Sequence, residues 1–148
     1  INIATQSIDE FNKPYLIGLH ISEGTKLPSG EKILELIDKL KNPKLLGVIL
    51  SCVSPENYEL NLNEIKSLGV PFGFKLNGYL KTAPLPKMNK TNNKNNFLQP
   101  NNFLGKRKDL SPEKMLEFVK GFKDSGATIL GGCCETTPAH IKLFASLK

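Results

Sequence analysis

The chain has 148 residues and a mass of 16.4 kDa, with 39% hydrophobic and 23% charged residues, the balance of a folded domain and not of a disordered or collagen-like segment. Such a length buries roughly 70% of the unfolded chain's surface in one core, yet falls short of the about 250 residues of a complete eight-stranded α/β barrel. The formal charge of +6 comes from a single segment: seven basic residues and no acid lie between Lys81 and Lys108, while 13 basic residues face 14 acidic ones elsewhere.

Ile1, Ala4, Ile8 and Phe11 recur at helical spacing, so the chain reads as starting inside an element, as a fragment would. Tyr15 to Ile21 is a short apolar run, expected as a strand buried on both faces. Ser29 is the expected cap of a helix with an apolar stripe of Ile33, Leu34, Ile37 and Leu40. A second strand is predicted over Leu45 to Leu50. Ser54-Pro55-Glu56 then starts a helix, with a hydroxyl cap, proline in the first turn and an acid where the helix dipole favours it. That helix runs through Leu62, Ile65 and Leu68 to Gly69, and a third strand is predicted from Val70 to Leu76.

The basic stretch 81–108 also holds Asn89, Asn92, Asn93, Asn95, Asn96, Asn101 and Asn102, and reads as a polar loop inserted in a single partial domain, 1–148. It lacks the interleaved aromatics of a strand-binding surface, so no nucleic-acid partner is expected. The sequon Asn89-Lys90-Thr91 means little without an export signal. Ser111-Pro112-Glu113 repeats the helix start ahead of Met115, Leu116, Val119 and Phe122. A fourth strand, Ala127 to Leu130, runs into Gly131-Gly132-Cys133-Cys134, and Thr137-Pro138 opens the last helix. Strands alternating with helices at this spacing predict an α/β fold with a parallel sheet whose strand C-terminal ends share one side. No window approaches the roughly 18 apolar residues of a membrane span, and no signal peptide is recognisable, so no membrane partner and a cytoplasmic location are expected.

All three cysteines, Cys52, Cys133 and Cys134, fall at predicted strand C-terminal ends. An odd count and neighbouring positions disfavour a disulfide. Three thiolates without an obvious fourth ligand suit a zinc site with an open position, inert or redox-active thiols being the alternatives. Gly131 and Gly132 are expected to let the chain turn tightly there.

Gly131-Gly-Cys-Cys-Glu-Thr-Thr-Pro-Ala-His-Ile141 resembles the GGCC-x-TTP-x-HI signature of the homocysteine S-methyltransferase family, and Leu50-Ser-Cys-Val-Ser-Pro-Glu56 resembles its NC-x-x-PE segment. Lys75-Leu-Asn-Gly78 is similar to a diverged YPN-x-G strand end. The resemblance covers nearly the whole chain but matches only strands five to eight of the family's TIM-type barrel. It implies Zn2+ held by Cys52, Cys133 and Cys134, homocysteine sulfur in the fourth position, and methyl transfer to give methionine. The methyl donor is not identified by these residues. Ser51 stands where the family has Asn, and Lys75-Leu76 where it has Tyr-Pro.

His20, at the end of the first strand, and Asn77 are the candidate substrate contacts, whereas His140 is read as stabilising its helix and Glu135 as a solvated turn residue. The alternative function is a non-catalytic zinc-binding fragment lacking the N-terminal substrate-binding half. An open sheet of four strands leaves two edges, which predicts self-association or pairing with that missing half.

Overall fold

The computed structural model describes residues 7–8, 10–21, 23–80 and 104–147. The elements, in order, are β1 (Tyr15–His20), a 3₁₀ helix (Ile33–Leu40), β2 (Leu45–Val53), α1 (Pro55–Lys66), β3 (Phe72–Leu76), α2 (Pro112–Asp124), β4 (Ile129–Gly132) and α3 (Pro138–Ala145). The four strands form one all-parallel sheet in the order β1-β2-β3-β4, so the architecture is α/β, half of a TIM-type barrel.

Side chains alternate across each strand, and the register lines them up in rows. Leu19 pairs with Leu50 and Leu50 with Phe74, all buried. This row packs into one core with Tyr58 and Ile65 of α1 and Met115, Val119 and Phe122 of α2. Tyr58, Phe74 and Phe122 meet edge to face, with ring centroids 4.7 to 5.6 Å apart. The Tyr58 hydroxyl is buried with no hydrogen-bond partner among the described residues, and burial pushes its pKa up. Tyr58→Phe keeps the ring packing and removes an unsatisfied donor, so it is expected to stabilise the fold by about 1 kcal/mol in urea unfolding. A loss of stability would show that the hydroxyl is satisfied.

The helix starts read from Ser54-Pro55 and Ser111-Pro112 are present: Ser54 Oγ accepts from Asn57 N and Ser111 Oγ from Lys114 N, each at 3.2 Å. Several expectations are corrected. β1 is buried on one face only, with Leu16 46% exposed, because among the described residues no layer covers the row that carries it. Ser29 does not cap a helix: its hydroxyl binds Glu31 within a turn through Gly30, at φ +103°, and the helix begins after Lys32. It is a 3₁₀ helix that buries Ile33, Leu36 and Leu40 and leaves Leu34 exposed, as the tighter winding dictates. The Ile37 side chain lies outside what is described. Residues Ser7, Ile8 and Glu10 are helical, but Phe11 is 72% exposed and makes no buried stripe; Ile1 and Ala4 lie outside the described residues.

Most of the basic stretch, including Lys81, Lys87, Lys90, Lys94 and the sequon, also lies outside the described residues. Its end is firmly tied. Leu80 N donates to Gly105 O at 3.0 Å, Tyr79 pairs with Lys106 in an antiparallel bridge, and Arg107 N donates to Gly78 O at 2.9 Å. The largely buried Arg107 guanidinium binds Glu56 of α1 at 2.7 Å and Asp109 at 2.6 Å, while Lys106 pairs with Glu135 at 3.5 Å. Two cations of the stretch are therefore neutralised by acids of this chain.

Arg107 holds the Glu56 and Asp109 carboxyls below their ordinary range. A depressed carboxylate pKa stabilises the fold above the unfolded value and loses that contribution as pH falls through the folded value. Arg107→Ala is thus expected to lower the melting temperature at neutral pH, and the gap from the parent chain should close as the pH is taken below 4.

Candidate metal centre

Cys52 lies inside β2, not beyond it, at the point where the β2–β3 register slips between Ser51 and Val53. Such a bulge re-aims a side chain. The residue takes φ +58°, a left-handed conformation that costs a non-glycine residue about 1 to 2 kcal/mol. Strain of this kind at a nucleophilic side chain marks a site, because the surrounding structure has to impose it.

Cys133 follows β4 directly and extends its pairing, with Cys133 N donating to Leu76 O at 2.6 Å. Thr136 closes the turn by donating to Cys133 O from both its backbone N (3.2 Å) and its hydroxyl (2.5 Å). The left-handed residue of that turn is Glu135, at φ +62°, and not Gly131 or Gly132. The two glycines serve close approach instead: a Cβ on Gly132 would collide with Thr136 Oγ1, and one on Gly131 would lie 3.2 Å from Phe74 O. Glu135 is partly exposed and paired with Lys106.

These turns bring Cys52, Cys133 and Cys134 together, with all three sulfurs within 4.8 Å of one another and the adjacent pair 3.9 Å apart. All three are free thiols and half-buried. Tetrahedral zinc with Zn–S bonds of about 2.3 Å separates its thiolates by about 3.8 Å, so the cluster fits such an ion after closing by less than about 1 Å. The group is the one cluster of three or more metal-ligating side chains among the described residues.

The thiols are electrostatically unequal. Burial, and then the neighbouring Cys133 and Cys134, push the Cys52 thiol up to about 12. Cys134 is lowered, chiefly by a hydrogen bond from the Tyr79 hydroxyl, whose own pKa is raised by burial and by that sulfur. Three thiolates this close repel one another, and a divalent cation between them removes that penalty.

Asn77 is 2% exposed, its Nδ2 donating to Cys52 O at 2.5 Å and its Oδ1 accepting from Tyr79 N at 3.1 Å. His20 is exposed at the end of β1, paired in register with Ser51, its Nδ1 3.2 Å from Ser51 O, and it is not among the clustered ligand atoms. Ser51 fills the space beside Gly18, where a Cβ would sit 2.8 Å from its Oγ. His140 caps α3: Nδ1 accepts from Thr137 N at 3.0 Å, and Nε2 lies 3.4 Å from Leu110 O, so it stabilises the helix as expected. The sequence alone does not single out Tyr79. Its only sequence signal is its place just past the third strand.

The described residues thus form a parallel α/β half-barrel with a three-thiol cluster at the C-terminal end of its sheet. The model of the homocysteine S-methyltransferase family matches residues 1–147, and the chain belongs to that family. It is similar to homocysteine S-methyltransferase 1 of Saccharomyces cerevisiae, 28% identical over 144 residues, which is 93% of this chain and 40% of that protein. The chain thus spans well under half the length of that relative. No helix among the described residues is long and apolar enough to cross a membrane.

Proposed function

We propose that the chain is the zinc-holding half of a methyltransferase acting on homocysteine, with Cys52, Cys133 and Cys134 as the three ligands. The observation that carries this is the convergence of the three sulfurs at the C-terminal end of the sheet. Bound zinc would supply a Lewis acid able to lower the pKa of a substrate thiol near neutral pH. Three cysteine ligands would leave a four-coordinate zinc open to that sulfur, and the exposed His20 rim is the surface we assign to contact the rest of the substrate. In the reaction the homocysteine thiol gives its proton to solvent and its sulfur forms a bond to the donor's methyl carbon. The bond from that carbon to the donor breaks with its electron pair leaving on the donor, and methionine is the product. The donor is a second, unidentified partner.

The setting that suits three reduced thiols is the cytoplasm. Among the described residues β1 and β4 are the edge strands of the sheet, and they are proposed to pair with an N-terminal half-barrel or with a second copy. The second reading, a non-catalytic zinc-binding fragment, rests on the same three sulfurs without turnover.

Elemental analysis of the reduced chain tests the proposal: about one zinc per chain supports it, and a folded, reduced chain free of zinc after zinc loading overturns it. With cobalt(II) in place of zinc, homocysteine should alter the visible spectrum where methionine, its thiol already methylated, does not. Zinc binding without any response to homocysteine favours the fragment reading.

A further inference from the structure

We infer that Asn77 is a positioning residue that holds Cys52 in its ligating conformation, an inference resting on the zinc reading above. The bulge at Cys52 takes the peptide after it out of the regular β2–β3 pairing, at a residue with φ +58°. Asn77 meets that peptide. Its Nδ2 donates to Cys52 O at 2.5 Å, and its backbone N donates to Val53 O at 2.9 Å, so one residue grips two successive carbonyls.

The other end of the carboxamide is also committed, Oδ1 accepting from Tyr79 N at 3.1 Å. The same turn reaches the second ligand segment, since Gly78 N donates to Cys134 O at 3.0 Å. The turn Asn77–Tyr79 therefore stitches the β2 ligand to the β4 ligand pair, and the buried carboxamide fixes the orientation of the strained peptide. Reversing that donor into an acceptor sets two oxygens against each other. The peptide then rotates away, and the Cys52 sulfur leaves the cluster with it.

Asn77→Asp is nearly isosteric, keeps the acceptor for Tyr79 N and removes the donor to Cys52 O. With cobalt(II) as the probe, its metal affinity is expected to fall about 10- to 100-fold, the range seen when groups that orient ligands are changed. The thiolate-to-cobalt charge-transfer band should drop towards that of two thiolates. Asn61→Ala is the control for a general loss of stability: Asn61 is 0% exposed and its Nδ2 donates to Gly24 O at 2.8 Å and Asn57 O at 2.7 Å, with no bond to a cysteine segment. It should lower the melting temperature and leave cobalt affinity and spectrum unchanged.

Parent-like cobalt binding by Asn77→Asp, or equal loss in both variants, overturns the inference. If Asn77→Asp does not fold, Asn77→Ser, whose hydroxyl is too short to reach the carbonyl, is read by the same two measurements. A parent chain that binds no cobalt refutes the zinc reading itself, an outcome distinct from parent-like binding by the variants.

Discussion

Cys133→Ser combined with Cys134→Ser is expected to abolish zinc binding while leaving the chain folded. A serine hydroxyl is not deprotonated near neutral pH and does not replace a thiolate on zinc. Both cysteines are half-buried at the end of the sheet, and the bonds that shape their turn come from the backbone and Thr136, so the change is small in volume and leaves the turn's bonds in place. The effect separates cleanly in thermal melts. Zinc at about 100 times its dissociation constant stabilises the parent by about 2.7 kcal/mol, and that increment should vanish in the variant while the metal-free melts coincide. A variant that still gains stability from zinc would place the ligands elsewhere.

Gly73→Ala is expected to be the most damaging single methyl in the protein. Gly73 pairs in register with Ile129, and a Cβ there would overlap the Ile129 carbonyl oxygen and press on its carbonyl carbon at 2.6 Å. The obstacle is backbone of a paired strand, so relief requires β4 to move away from β3. A loss of about 3 kcal/mol or more is expected in urea unfolding. Because β4 leads directly into Cys133 and Cys134, zinc affinity should fall with it. Gly121→Ala provides the contrast: the residue is exposed in α2 with nothing within 4 Å of an added Cβ, and the change should stabilise by about 0.5 to 1 kcal/mol. Equal effects at the two glycines would refute the close approach of β3 and β4.

The elements legible in the sequence are those set by neighbouring residues. Ser54-Pro55, Ser111-Pro112 and Thr137-Pro138 announce their helices because a cap needs only a hydroxyl and the next turn. The three cysteines were legible as a group because parallel strands put their C-terminal ends on one side. The bulge and left-handed φ of Cys52 were not, since they arise from pairing with β3 and from Asn77, 25 residues downstream. The turn residue after the cysteines was misplaced for a related reason. Gly131 and Gly132 carry the usual turn signal, but their missing Cβ atoms make room for β3 beside Gly131 and for Thr136 and Ile141 beside Gly132, and Glu135 makes the left-handed step. Ser29 has the spacing of a cap, and spacing does not reveal that its hydroxyl is taken by Glu31.

The bonds among Gly78, Tyr79, Leu80, Gly105, Lys106 and Arg107 close a neck where the chain leaves β3 and returns towards α2. Where the two ends of an insertion are bonded to each other, each doubling of the inserted length adds only about 0.6 kcal/mol of closure entropy. The neck, whose own bonds join β3 to the start of α2 without drawing on what is inserted there, is thus a graft point beside the cysteine cluster.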